Sequence, residues 1–290
     1  MSQLCKIVSL LSCPDDGHTF LYEDGILECK KCNKKYNSIA DDFFEILPSE
    51  FPKWDLFPNE PKKAQEMYFH EFLTPFSWNR KEGGWGDLAN ASPGTRAFYR
   101  DYTQKVIELL DPQQNAIGID VSGAVGNCAI LLSEKVKTMV NCDLHTPSII
   151  TSFKRKKKNM ICIRSPYLKL PFAANCFDYV ICTDTLIRGL NHEIMLLKEI
   201  LRILKVNGKA LVDFHNLKWF AKNKDICAYK VNTVKKLLNE AGIMQYSIYP
   251  IGYVPLKVVL TESLYVLLDN FFKLILPCKR HIVVFTKGYI

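Results

Sequence analysis

From Pro93 onward the chain alternates short apolar runs of strand length with segments of helix length, and this alternation restricts the fold more than any other feature. A helix is expected over 96–110, a strand over 116–120, a helix over about 126–136, a strand over 138–143, a helix over 147–157 and a strand over 159–164. Residues 177–183 read as a buried strand. Residues 191–205 read as a helix with Leu196, Ile200, Ile203 and Leu204 on one face, and 209–214 as a further strand. A helix over 231–242 would stop at Gly242, a common left-handed terminator, and a last strand is expected over 281–286. Strands joined by helix-length connections need right-handed crossovers, which gives a mainly parallel, doubly wound α/β sheet covered on both faces. A chain of 290 residues has room for such a domain and one small accessory. The accessory is expected at 1–48. A linker or lid segment rich in Pro, Trp, Phe, Lys and Gly follows at 49–95, and the main domain occupies 96–290 with a helical insertion at about 255–278.

In such a sheet the ligand sits at the carboxyl ends of the strands, where strand order reverses, so the loop after the first strand is the place to look. That loop is Asp120-Val121-Ser122-Gly123-Ala124-Val125-Gly126. Its small residues let backbone approach a ligand closely, and the acid at the strand end accepts from an ammonium or hydroxyl. A tight strand-to-helix turn with no ligand is the plainer reading of the same spacing. The second strand ends in Asp143, where a carboxylate suits the two hydroxyls of a ribose. Dinucleotide binding asks for Gly-x-Gly-x-x-Gly without the leading acid, so the order here favours S-adenosylmethionine.

Asp120-x-Ser122-x-Ala124-x-Gly126 resembles the Asp-x-Gly-x-Gly-x-Gly motif of class I, Rossmann-like, S-adenosylmethionine-dependent methyltransferases. Leu170-Pro171-Phe172 with Cys176-Phe177-Asp178-Tyr179-Val180 resembles the next segment of that family, and Glu199-Ile200-Leu201-Arg202-Ile203-Leu204-Lys205-Val206-Asn207-Gly208 resembles the one after it. The likeness covers roughly residues 96–290 and is of the ubiquinone/menaquinone-methyltransferase type. It implies a seven-stranded sheet. It also implies that Asp120, Val121, Ser122, Gly123, Ala124 and Gly126 face the methionine part of the cofactor, that Asp143 holds the ribose, and that Leu144 flanks the adenine. Ser165, Pro166, Tyr167 and Leu168 would close over the base, and Thr183 and Asp184 would border the transfer pocket. Two departures stand out: Ser122 and Ala124 replace glycines, and the acid usual before Leu-Pro-Phe is missing, with Arg164, Ser165 and Pro166 in its neighbourhood.

Cys13-Pro14-Asp15-Asp16 and Cys29-Lys30-Lys31-Cys32 set two knuckles either side of a hairpin-length stretch, as zinc ribbons do. Cys13, Cys29 and Cys32 supply three ligands, and the fourth is Asp16 or His18; a ribbon that has lost its metal is the alternative. The tail from Tyr36 to Asp42 resembles ribbons of the tRNA-methyltransferase-activator family, and similar ribbons precede rRNA guanine-N1 methyltransferases.

A net charge of +8 favours an anionic partner without naming one. The basic run Lys154 to Lys158 reads as a solvated helix end or as a phosphate-contacting patch for RNA, though no aromatic residues interleave with it. His192, Asp184, His215 and Asp213 are the only obvious candidates for a general base, each with a cap or surface role as the plainer reading; no catalytic residue is assigned. Leu264, Leu267, Leu268, Phe271, Phe272 and Ile275 follow helical spacing, which suits core packing, a lid, or peripheral contact with a membrane or lipid-like substrate. Glu262, Asp269 and Lys273 argue against a spanning helix there. Eleven cysteines in apolar runs and no evident secretory signal point to a reducing, cytoplasmic setting. The leading expectation is methyl transfer to a small-molecule or lipid-precursor nucleophile. An RNA base methyltransferase, and a degenerate fold that binds a protein partner without catalysis, are the alternatives.

Overall fold

The structure is a computed structural model that describes residues 7–50, 70, 74–80, 82–84, 86–186, 192–220, 227–256, 259 and 261–288. Most of the linker expected at 49–95, with Trp54 and Trp85, lies outside the described residues. Four short strands come first: β1 (Phe20–Glu23), β2 (Ile26–Cys29), β3 (Lys35–Ala40) and β4 (Phe43–Glu45). Then follow α1 (Pro93–Leu110), β5 (Ile117–Val121), α2 (Asn127–Ser133), β6 (Thr138–Asp143), α3 (Thr146–Arg155), β7 (Met160–Arg164) and β8 (Phe177–Cys182). The chain continues through α4 (His192–Ile203), β9 (Leu204–His215), α5 (Leu217–Phe220), α6 (Val231–Glu240), β10 (Tyr246–Ile251), α7 (Tyr265–Phe272) and β11 (Arg280–Thr286).

The strands lie in the order β1-β2-β3-β4-β7-β6-β5-β8-β9-β11-β10. β4 to β9 run parallel across β7, β6, β5 and β8, while β11 and β10 are antiparallel. This is the doubly wound α/β sheet that the alternation demands, with its switch point at β5, which is flanked by β6 on one side and β8 on the other. β6 and β7 are buried at every residue, as strands covered on both faces must be. One face packs against Ala97, Phe98, Tyr102, Val106 and Leu110 of α1 and Ala129 and Leu132 of α2. The other packs against Leu196, Ile200 and Ile203 of α4 and Val234 and Leu238 of α6.

Seven strands follow residue 116, but the sheet as a whole holds eleven rather than the seven expected. The cause is β4, which the sequence reading left within the ribbon tail. Phe43, Phe44 and Glu45 pair in parallel with Cys162, Ile163 and Arg164, and so cover the edge that β7 would otherwise expose. Ile7, Leu11, Phe20, Leu27 and Phe44 share one apolar core with Ile161, Ile163, Phe172 and Phe177. Local chemistry also moves element ends. Ser92 Oγ accepts the Thr95 N–H at 3.2 Å with Pro93 in the first turn, so α1 starts at 93 instead of 96. The helix expected to 205 gives way to β9 at Leu204, which pairs with Phe177. β10 was not anticipated; its half-exposed edge position leaves little apolar alternation to read. No helix among the described residues is long and apolar enough to cross a membrane.

Candidate functional site

β5, β6, β8 and β9 bring Asp120, Asp143, Thr183, Asp184 and His215 to one edge of the sheet, and the 121–126 loop lies against the first two. Asp120 is buried; its Oδ2 accepts the Ala129 N–H at 3.2 Å, while Oδ1 has no hydrogen-bond partner among the described residues. Burial pushes its pKa up to about 8, opposed by the Ala129 N–H and reinforced by the nearby Asp143 charge. Asn141, one strand over and fully buried, donates to Ala124 O at 3.1 Å and to Ser152 Oγ at 2.7 Å, and its Oδ1 is likewise without a partner among the described residues. Both side chains crowd Gly123: a Cβ there would stand 2.1 Å from Asn141 Oδ1, 2.6 Å from Asp120 Cγ and 2.7 Å from Asp120 Oδ2. Asn141 is a site residue that the sequence reading missed. Its signal was a lone amide in the otherwise apolar run Met139-Val140-Asn141-Cys142.

The loop is held by its own acid. Asp143 Oδ2 accepts the Ala124 N–H at 2.8 Å, and Oδ1 accepts that of His145 at 2.7 Å. Ser122 and Ala124 sit at φ +55° and +46°, and Gly126 at +79°, so the two non-glycine residues occupy left-handed positions that disfavour a Cβ. Returning glycine at both is expected to relieve about 1 kcal/mol at each position, partly offset by the greater freedom of the unfolded chain. Denaturant melts of Ser122→Gly and Ala124→Gly check this; a loss of stability in both would show that the side chains are themselves packed.

Val121 points into the core and offers only backbone to the edge; Leu144 and Leu168 are buried, and Tyr167 is half-buried with its hydroxyl 3.0 Å from His192 Nδ1. Arg164, in the neighbourhood where the resemblance leads one to look for an acid, turns away from the edge. It is wholly buried, pairs with Glu45 of β4, and donates to Leu144 O at 3.0 Å and Thr74 O at 3.1 Å. The N-terminal strands are thereby tied to the residue next to Asp143.

Beside Thr183 the edge carries a second cluster. Arg280, at the start of β11, donates Nη2 to Asp184 Oδ1 at 2.7 Å and Nη1 to Asp213 Oδ2 at 2.8 Å, and its guanidinium lies 5.0 Å from the Tyr102 ring centroid. Tyr102 OH also donates to Asp213 Oδ2, at 2.9 Å, and Tyr99 OH donates to Asp184 Oδ2, at 3.1 Å. Burial works against the charge on Asp184, but Arg280 and His215 outweigh it and hold the carboxyl well below the usual range. His215 Nε2 is 3.2 Å from Asp184 Oδ1. His215 Nδ1 has no hydrogen-bond partner among the described residues. Of the four general-base candidates, the structure joins Asp184, His215 and Asp213, and places His192 with Tyr167.

At the other end, one ligand atom each from Cys13, Asp16, Cys29 and Cys32 lies within 4.8 Å of the rest. Cys13 Sγ and Cys32 Sγ are 3.8 Å apart, and Cys29 Sγ is 3.4 Å from Asp16 Oδ1. Ligands on a tetrahedral zinc, with sulfur at about 2.3 Å and oxygen at about 2.0 Å, stand about 3.8 Å (S–S) and about 3.5 Å (S–O) apart. The donor set fits. His18 is exposed, with its ring against Asp16 O, and is outside the group.

Residues 119–212 match the methyltransferase-domain family model. No curated protein matches it in sequence. Among solved structures, the geranyl diphosphate C-methyltransferase of Streptomyces coelicolor, in complex with Mg2+, geranyl diphosphate and S-adenosyl-L-homocysteine, is similar with a TM-score of 0.55 at 9% identity, over 78% of this chain and 99% of that one. A SAM-dependent methyltransferase of Thermotoga maritima gives 0.52 at 16% identity, over 81% and 99%. A chain from the complex of the Haloferax volcanii Trm112 methyltransferase activator with a methyltransferase gives 0.51 at 13% identity, over 68% and 94%. At such identities these likenesses speak to the fold.

Proposed function

We infer that this chain, whose residues 119–212 match a methyltransferase domain, is an S-adenosylmethionine-dependent enzyme that methylates a small-molecule nucleophile. The observation that carries the cofactor reading is a pair of buried side-chain oxygens without hydrogen-bond partners among the described residues, Asp120 Oδ1 and Asn141 Oδ1, on residues paired across β5 and β6 at the switch point. A buried acceptor without a donor is costly, and two together fit the ammonium end of the cofactor. Asp143, at the carboxyl end of β6, would take its nucleoside part together with Leu144, Tyr167 and Leu168. The cofactor supplies an electrophilic methyl group. Acceptor alignment falls to the Thr183, Asp184 and His215 side, where His215 Nδ1 is a ring nitrogen without a hydrogen-bond partner among the described residues.

The acceptor is read as a small molecule, because the aromatic and charged groups on that side are buried: Phe98, Tyr102, His215 and Arg280 all are. The basic run offers little to RNA. Lys154, Lys156 and Lys157 pair with Glu82, Asp42 and Glu134, which spends three of its five charges. A non-catalytic binding partner remains the second reading, favoured by the strained Ser122 and Ala124. Calorimetric titration with S-adenosylmethionine and S-adenosylhomocysteine decides between them. Micromolar binding, lost at least about a hundredfold in Asp143→Ala because two loop amides lose their acceptor, is the expected result. A folded chain that binds neither would overturn the enzyme reading.

The ribbon is read as a zinc module with Cys13, Asp16, Cys29 and Cys32 as ligands. Metal analysis should find one zinc per chain, and chelation should lower the melting temperature through β4 and its pairing with β7. A purified, metal-free chain with an unchanged melt would leave only the fold of the ribbon.

A further inference from the structure

The segment 261–278 is held on the molecule by one side only. Tyr265 is buried, and Leu268 and Phe272 pack against the core under α1. The opposite stripe is Leu264, Leu267, Phe271 and Leu274, at spacings of three and four. Leu267 is 68% exposed, Phe271 59%, Leu274 82% and the adjoining Ile275 63%. A helix that is apolar on both faces belongs in a core or at a lipid interface, and a soluble surface does not ordinarily carry four large apolar side chains side by side in water.

The charges select the occupant. Both acids of the segment are turned inward: Asp269 Oδ1 accepts the Tyr253 and Val254 N–H groups at 2.5 and 2.9 Å, and Glu262 is clamped by Arg96 and Arg100, each at 2.7 Å. Asp101 of α1, also near Asp269, is half-buried, and its pKa is raised by burial and by that neighbour. What faces outward is the apolar stripe with Val266, the uncharged Thr261, Ser263 and Asn270, and the exposed Lys273, on a chain of net charge +8. We propose that this face of α7 and the turn that follows it docks the protein onto an anionic lipid bilayer, with Leu267, Phe271, Leu274 and Ile275 entering the interface and Lys273 meeting headgroups. Apolar insertion gives the binding and the cation gives the preference for negative lipid. Neither depends on methyl transfer.

The test is co-sedimentation of the full chain with phosphatidylcholine vesicles, with and without phosphatidylserine. The expected result is binding to the mixed vesicles that weakens with salt and falls at least about tenfold in Leu267→Ser/Phe271→Ser, while S-adenosylmethionine binding by that variant is unchanged. Because both side chains are exposed, the variant should melt like the parent. Wild-type protein that stays in the supernatant with both vesicle types overturns the proposal. So does a concentration-dependent dimer that the same variant dissolves, since the stripe would then meet a second copy of the chain.

Discussion

Replacing Arg280 by methionine is expected to cost about 3–5 kcal/mol of folding stability at neutral pH, the largest loss from any single substitution considered for this chain. Arg280 is 5% exposed and Asp213 1%. The guanidinium is the only cation within hydrogen-bonding reach of the Asp213 carboxylate among the described residues. Methionine would fill much of the volume over Phe98 and Tyr102 but would leave Asp213 as a buried charge held only by Tyr102 OH and the Asp184 N–H. Asp184, about a third exposed, adds less, because water screens it. The pH dependence has a definite sign. Arg280 holds the folded-state pKa of Asp184 below its ordinary 3.8, so that stabilisation is present above pH 3.8 and disappears as pH falls through the folded value. The Asp184 part of the gap between parent and variant should therefore be full at neutral pH and be lost only below 3.8. Denaturant melts across that range measure it, and Arg280→Met combined with Asp213→Asn should recover part of the loss. A neutral or stabilising Arg280→Met would mean that the ion pair never repaid its desolvation.

That network shows where sequence reasoning stops. Asp184, Asp213 and His215 were visible as ionisable residues near strand ends, because short apolar runs announce where a buried strand finishes. Nothing local announced Arg280. It reaches the cluster only because β11 enters between β9 and β10 antiparallel, pairing Arg280 with His215, and pairing partners this remote leave no trace in periodicity. β4 has the same cause: three residues carry no period, and their strand character comes from docking on β7. The sheet from β5 onward was legible because every strand in it is an apolar run bounded by turns. The loop at 120–126 was legible for a different reason, as small residues are tolerated where backbone must approach closely. The structure adds the strain, which only φ angles reveal, and the role of Asn141, whose amide reads as an oddity until it is seen tying Ala124 to Ser152.

The strongest functional expectation concerns the proton on Asp120. With its pKa raised to about 8 by burial, the carboxyl of the ligand-free chain is mostly neutral at pH 7, which lowers but does not remove the cost of burying Oδ1 without a partner. A raised folded-state value means that the ligand-free chain loses stability as pH rises from the ordinary 3.8 toward about 8. If the cofactor ammonium docks against Oδ1 and Asn141 Oδ1, it favours the ionised form, and the proton must leave. Affinity for S-adenosylmethionine should then rise up to about tenfold per pH unit on approaching pH 8, and level off above it. Titrations near neutral pH in two buffers of different ionisation enthalpy should differ in heat by the proton released. In Asp120→Asn, which keeps the shape but cannot ionise, that difference should shrink to the ligand's own contribution, and affinity should fall and lose the pH dependence that belongs to the carboxyl. The ligand's own amino group titrates alike with both proteins, so the contrast between them belongs to Asp120. Equal buffer dependence in the two would mean that the ammonium does not sit on this carboxylate, and would move the search for its partner to the 122–126 backbone.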